Sequence, residues 1–267
     1  MALASMSEIF ERMVRNGQEF WEVVLADDMD ERQVSREASM AKMLTTWQAM
    51  QDAADSYTGR KRSVSGLVGG DGMKMRQYTF RGCAMTGGYV SEVIAEALSM
   101  AESNACMRRI VAAPTAGACG VLPAVLLPLC KYEELTQHQL LEALYVAAGI
   151  GSVIAYKASI AGASGGCQAE IGTAAAMAAG ALVALRGGEG EQIGHAVAMA
   201  LKNLMGLVCD PVAGLVEVPC VKRNVIGAVN AVSAADMALA GIESRIPVDE
   251  VIDAMGEVGR RMPVEFR

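Results

Sequence analysis

Three of the seven cysteines stand where the backbone is expected to be irregular. Cys167 closes the small-residue run GASGGC, Cys209 precedes Asp210-Pro211, and Cys220 follows Val218-Pro219. Each is expected in a loop rather than a helix, with its sulfur free to turn toward a common centre. Thiolates select soft metals and iron–sulfur clusters, so these three are the first candidates for chemistry. Their spacing matches no general ligand pattern, and no C-x-x-C pair is present. On spacing alone, three buried structural cysteines are the plainer reading. Most of the others (Cys83, Cys106, Cys119 and Cys130) are expected to be small buried hydrophobes. The count is odd, and the opening MALASMSEIFERMVRN holds no apolar signal-peptide core. Both points argue against a disulfide framework and for a cytoplasmic protein.

Other chemistries find less support. His138 lies in ELTQHQ and His195 in GEGEQIGHAVAM, each near an expected helix start. Neither has a Ser, Cys or Asp neighbour that suggests a triad. H-E-x-x-H, a P-loop and a strand-borne G-x-G-x-x-G are missing, and the Gly-rich stretch 66–72 lacks the Lys-Ser/Thr ending of a P-loop. Lys157 and the SGGC loop at 164–167 imitate the Schiff-base lysine and phosphate loop of a pyridoxal-phosphate lyase. Such a pair is unusual in an all-helical setting.

The elements that must carry these residues read as helices. Residues 5–25 and 34–56 are two amphipathic helices, separated by the charged break 27–31. The stretch 59–75 is basic and then Gly-rich, so it reads as a loop, either a linker or a binding loop. A helix starts near Thr86. Pro114 and Gly117 mark a further loop, and a helix follows from about Val121 with Pro123 in its first turn. Helices are also expected at 137–157, after Cys167, and at 193–207, 225–242 and 248–261, with a loop over 209–224. The single candidate strand is GLVEVP at 214–219. The expectation is an all-α domain spanning 1–267, its Gly/Pro-rich loops converging on a core site.

Composition narrows the class. The 267 residues are 52% hydrophobic but only 4% aromatic, with 28 glycines, which favours closely packed helices. A net charge of −7 argues against a nucleic-acid partner. The mean hydropathy of +0.29 raises the question of a membrane. The uncharged stretch 110–130 is interrupted by Pro114, Gly117, Gly120, Pro123 and Pro128, and 171–185 is too short to span. Both are expected in the interior of a protein that does not enter a membrane.

Three long segments carry a more specific signal. APTAGACGVLPAVL (113–126), ASIAGASGGCQAEIG (158–172) and CDPVAGLVEVPCVKRN (209–224) resemble the signature segments of the iron–sulfur-dependent L-serine dehydratases. SGLVGGDG (65–72) is similar to the α-chain of their two-subunit form, and the resemblance runs from about residue 5 to the end. It implies an all-helical catalytic chain that holds a 4Fe-4S cluster through Cys167, Cys209 and Cys220 and works with a separate β-chain. The implied reaction is the lyase step L-serine to pyruvate and ammonia, part of amino-acid catabolism leading toward gluconeogenesis. A related cluster-dependent lyase acting on threonine or cysteine is the alternative.

Three thiolates leave one iron open as a Lewis acid for the serine hydroxyl, whose departure as hydroxide is otherwise difficult. The substrate carboxylate needs N–H or hydroxyl donors at a Gly-rich turn, a need met by Thr115, Gly117 and Ala118 and by Ser65 and Gly66. Asn104, Asn203 and Asn224 match family positions and either order the pocket or cap helices. Lys222 and Arg223 offset the cluster's negative charge or form a solvated basic turn. The α-proton base is not identifiable, and is expected from the β-chain or from an iron-bound oxygen. The family pattern continues past 260–267 with a further Gly-rich segment that this sequence lacks. In related single-chain enzymes a C-terminal Cys can reach the site, and none stands here. The chain as given is therefore expected to fall short of full activity.

Overall fold

The computed structural model describes residues 3–267, and among them there is no β-strand. The helices are α1 (Met6–Asn16), α2 (Phe20–Arg32), α3 (Arg36–Asp55), α4 (Asp71–Phe80), α5 (Gly87–Ala105) and α6 (Val121–Tyr132). They continue with α7 (Gln137–Lys157), the short α8 (Gly162–Gly165), a π-helix (Gln168–Gly172), α9 (Thr173–Leu185), α10 (Gly190–Leu204), α11 (Cys220–Leu239) and α12 (Val248–Arg261). The expected all-α class is the observed one. The candidate strand 214–219 is instead irregular chain following a single 3-10 turn, Val212–Gly214.

α9 is the axis of the fold. Its sequence TAAAMAAGALVAL is apolar on every face, and α6, α7, α10 and α11 pack around it. Such a helix belongs in a core, where it is covered on all sides. Small residues set the spacing. A Cβ on Gly180 would lie 2.2 Å from Ile150 Cδ1 of α7, and one on Gly149 would lie 2.4 Å from Val24 Cγ2 of α2. By length and hydropathy, Gln137–Lys157 and Gln168–Leu185 could each cross a membrane, yet 67% and 83% of their apolar windows are buried inside the protein. They are the central helices of the bundle.

Four boundaries differ from the sequence expectation. The helix expected over 5–25 breaks at Gly17, which takes φ +63° and caps α1 through its N–H to Met13 O. The acidic run 27–31 lies inside α2, because its charges find partners: Asp28 with Arg32 on the same helix at 3.0 Å and the buried Asp27 with Arg12 of α1 at 3.6 Å. α4 arises where only a loop was expected. Its first N–H groups, on Asp71 and Gly72, and that of Gly70 are capped from another helix by the buried Glu102 of α5. α11 begins at Cys220, so the expected loop 209–224 ends early.

The termini are tied together by a carboxylate. Asp249, in the first turn of α12, accepts from Met6 N–H at 3.0 Å and Ser7 N–H at 2.9 Å, and pairs with Lys157 at 3.5 Å. Burial opposes its charge, but the Ser7 and Met6 donors and the Lys157 ammonium hold it below the usual carboxylate range. A depressed pKa means stability that is present above the unfolded pKa and lost as pH falls through the folded one. Asp249→Ala is therefore expected to cost about 1.5–3 kcal/mol in urea unfolding at neutral pH. The deficit should vanish as the pH drops below the ordinary carboxylate range. A deficit that persists unchanged in acid would contradict this.

Candidate functional site

Three irregular segments meet beside α9. The first is the turn 113–120 between α5 and α6. The second is the stretch from α8 through Cys167 into the π-helix. The third is 205–219, which leads into α11. Each is fixed by side chains that satisfy backbone groups, as buried loops require.

Gln168, at 1% exposure, ties the second segment to the third. Its N–H donates to Leu207 O at 3.0 Å, its Oε1 accepts from Gly206 N–H at 2.7 Å, and its Nε2 donates to Met255 O of α12 at 3.1 Å. Gly166, at φ +76°, allows the approach, since a Cβ there would lie 2.9 Å from Leu207 O and 2.8 Å from Met262 Sδ. Asn224, wholly buried on α11, ties the first segment to the third. Its Oδ1 accepts from Gly120 N–H at 2.9 Å, and its Nδ2 donates to Gly117 O at 2.8 Å and Cys220 O at 3.0 Å.

The three sulfurs converge within this frame. Cys167 precedes the π-helix, Cys209 lies in the loop, and Cys220 is the first residue of α11, so two of the three adjoin helix starts rather than lying in open loop. Arg223, one turn after Cys220, donates to Cys167 Sγ at 3.3 Å and to Val208 O at 2.9 Å. It also pairs with Asp210 at 2.6 Å. The thiols act on one another. Burial pushes all three above the ordinary thiol pKa, Cys167 to about 12 despite the opposing Arg223 charge.

No disulfide joins them. Among the described residues, no three His, Cys, Asp or Glu are drawn together tightly enough for a single metal ion. Cys167, Cys209 and Cys220 lie close enough to act on one another electrostatically, with the Arg223 guanidinium beside Cys167, and such soft donors could hold an iron–sulfur cluster. Iron would replace the thiol protons that burial retains.

Beside the sulfurs lies Glu170, the third residue of the π-helix, which the sequence reading did not single out. Its carboxylate accepts a short hydrogen bond from Thr115 Oγ1 and acts electrostatically on Cys209 and Cys220. A Cβ on Gly117 would lie 2.7 Å from its Oε1, so the absence of a side chain at 117 makes room for it. π-Helices cluster at functional sites because the extra residue re-aims its neighbours. In the sequence, the signal was a lone charge inside an apolar run bordered by Ala169 and Ile171.

Other expected residues fall differently. Among the described residues, no acceptor meets the N–H groups of Gly117 and Ala118, which are buried in the turn. Ser65 donates its hydroxyl to the buried Glu217, and Gly66, at φ +77°, shapes that loop. Asn203 is exposed and donates to Asn230 Oδ1 at 2.7 Å, linking α10 to α11. Asn104 stands in the last turn of α5, and its side chain makes no hydrogen bond among the described residues. Lys222 points outward to Asp71 at 3.4 Å, away from the sulfurs. Lys157 is held charged by Asp253 at 3.2 Å and by Asp249, so it does not offer a free amine. Cys83 and Cys130 are exposed, against the expectation of burial, while Cys119 is buried.

The family described as serine dehydratase alpha chain matches residues 15–267. The chain is 46% identical to the probable L-serine dehydratase, alpha chain of Bacillus subtilis, over 92% of its own length and 82% of that protein's. It is 39% identical to the L-serine dehydratase, alpha chain of Peptoniphilus asaccharolyticus, over 97% and 89%. L-serine dehydratase 2 of Escherichia coli is 47% identical over 64% of this chain, a stretch that makes up 38% of that protein.

The two asparagines should separate sharply on substitution. Asn224→Ala leaves buried backbone groups unpaired and is expected to cost about 1–3 kcal/mol for each one stranded. Asn203→Ala, on the surface, should stay within about 0.5 kcal/mol. Equal unfolding midpoints for the two variants would show that Asn224 does not brace the turn.

Proposed function

The chain belongs to the serine dehydratase alpha-chain family, and on that premise we propose that it is the catalytic chain of an L-serine dehydratase. The reaction is deamination of L-serine to pyruvate and ammonia. The observation that carries this reading is the meeting of Cys167, Cys209 and Cys220 beside the Thr115–Glu170 pair. We further propose that the three thiolates hold a 4Fe-4S cluster and that a β-chain completes the site. The names of its relatives as alpha chains support a partner subunit. Unpaired thiols suit a reducing compartment, which supports the cytoplasm as its setting.

When bound, such a cluster supplies a Lewis-acidic iron that offsets the negative charge developing on a departing hydroxide. The chain's own residues bind and position the substrate around it. The N–H groups of Gly117 and Ala118 offer the substrate carboxylate two donors held rigid by Asn224. Thr115 is tied to Glu170, which keeps the turn closed against the π-helix. Arg223 stands against the accumulated negative charge of the sulfurs and is itself fixed by Asp210. Burial of Cys167 and Cys220 keeps water from two of the three sulfurs.

The test is pyruvate release from L-serine by the anaerobically reconstituted chain with its β-chain. Cys220→Ser and Cys167→Ser should reduce turnover at least about a thousandfold, the scale of losing a metal's electrophilic role. Cys83→Ser and Cys130→Ser, at exposed positions, should retain it. Faster turnover of threonine or cysteine than of serine would reassign the substrate. Full activity in Cys167→Ser would overturn the ligand set.

A further inference from the structure

We propose that Glu170 is the substrate's ammonium anchor and thereby the residue that selects amino acids over hydroxy acids. The inference deepens the dehydratase reading and rests on it. Glu170 is half-buried, yet among the described residues Thr115 Oγ1 is its single hydrogen-bond partner and no cationic side chain pairs with it. The guanidinium that enters the site is already engaged: Arg223 is taken up by Asp210, Val208 O and Cys167. A carboxylate in this position, beside sulfurs that carry negative charge once they hold metal, lacks a counter-charge. Partly buried charges are seldom left unpaired, so a cationic ligand group is the missing partner.

The geometry states where that group would sit. A Cβ on Gly162 would lie 3.4 Å from Glu170 Oε2 and 3.6 Å from Cys209 Sγ, so carboxylate and sulfur border the same small space. On the other side the carboxylate rests against Gly117, next to the free N–H groups of the turn. An amino acid with a β-hydroxyl has three polar groups on adjacent carbons. Its carboxylate suits the N–H groups of 117–118 and its hydroxyl suits the metal side. Its ammonium then falls between them, at Glu170. Three fixed contacts around one carbon also distinguish the two enantiomers, which two contacts cannot do.

Binding without turnover tests this. L-Alanine has the ammonium and carboxylate of serine but no hydroxyl to lose, and L-lactate carries a hydroxyl in place of the ammonium. Calorimetry on the reconstituted two-chain complex should show L-alanine preferred over L-lactate. Glu170→Gln should weaken L-alanine by about 10- to 100-fold, the scale of one charge-assisted hydrogen bond, and leave L-lactate unchanged or tighter. Its serine KM should rise more than its kcat falls. Unchanged L-alanine binding in Glu170→Gln overturns the assignment. So does an intact KM with a collapsed kcat, which would make the carboxylate the group that takes the α-proton. Where Glu170→Gln does not fold, Glu170→Asp is read instead. It should lose affinity while keeping the preference for L-alanine, and undiminished affinity would overturn the proposal. A wild-type complex that binds and turns over no serine overturns the dehydratase reading itself.

Discussion

One guanidinium holds the centre together. Arg223 reaches from the first turn of α11 to Cys167 Sγ, to the carbonyl of Val208 and to Asp210, so it joins the two chain segments that bring the first two sulfurs. Cys220 lies one turn before it on the same helix. Position 167 is far in sequence from 209 and 220, and nothing local brings it to them. A half-buried cation held by a sulfur, a carbonyl and a carboxylate opposes their separation, because the sulfur and carbonyl would lose a charged donor.

That contact needs a rigid scaffold, and the small residues provide one. α9 is mostly alanine and glycine, so α7 approaches it closely at Gly180, and α2 approaches α7 at Gly149. The π-helix at the head of α9 adds a residue within the turn that directs Glu170 across to the 113–120 turn. Glycine at 117 admits the carboxylate, and Asn224 holds the same turn from behind. Packing, backbone irregularity and hydrogen bonding thus converge on one face of the bundle.

How much of this was legible in the sequence depended on the kind of signal. Apolar helices such as α7 and α9 could be read directly, since composition alone buries them. The sulfur set could not be read from spacing; it came from the resemblance of three long segments. Gly17 and Glu102 act through a left-handed cap and a cap from a distant helix, which no local pattern announces. Ser65 looked like a ligand donor because the loop was read alone, whereas its partner Glu217 is supplied by a segment far along the chain. Glu170 is a lone charge beside an apolar run, and no neighbour in sequence marks it as a site residue. Its partners on the 113–120 turn exist only in the folded chain.

The site's chemistry depends on three sulfurs acting as one ligand set. The most direct measurement is the iron and acid-labile sulfide content of the anaerobically reconstituted chain, read with its visible spectrum. About four of each per chain, the composition of a single 4Fe-4S centre, is the predicted result. A folded chain with all three cysteines reduced that takes up neither iron nor sulfide would contradict it and leave the sulfurs as structural packing.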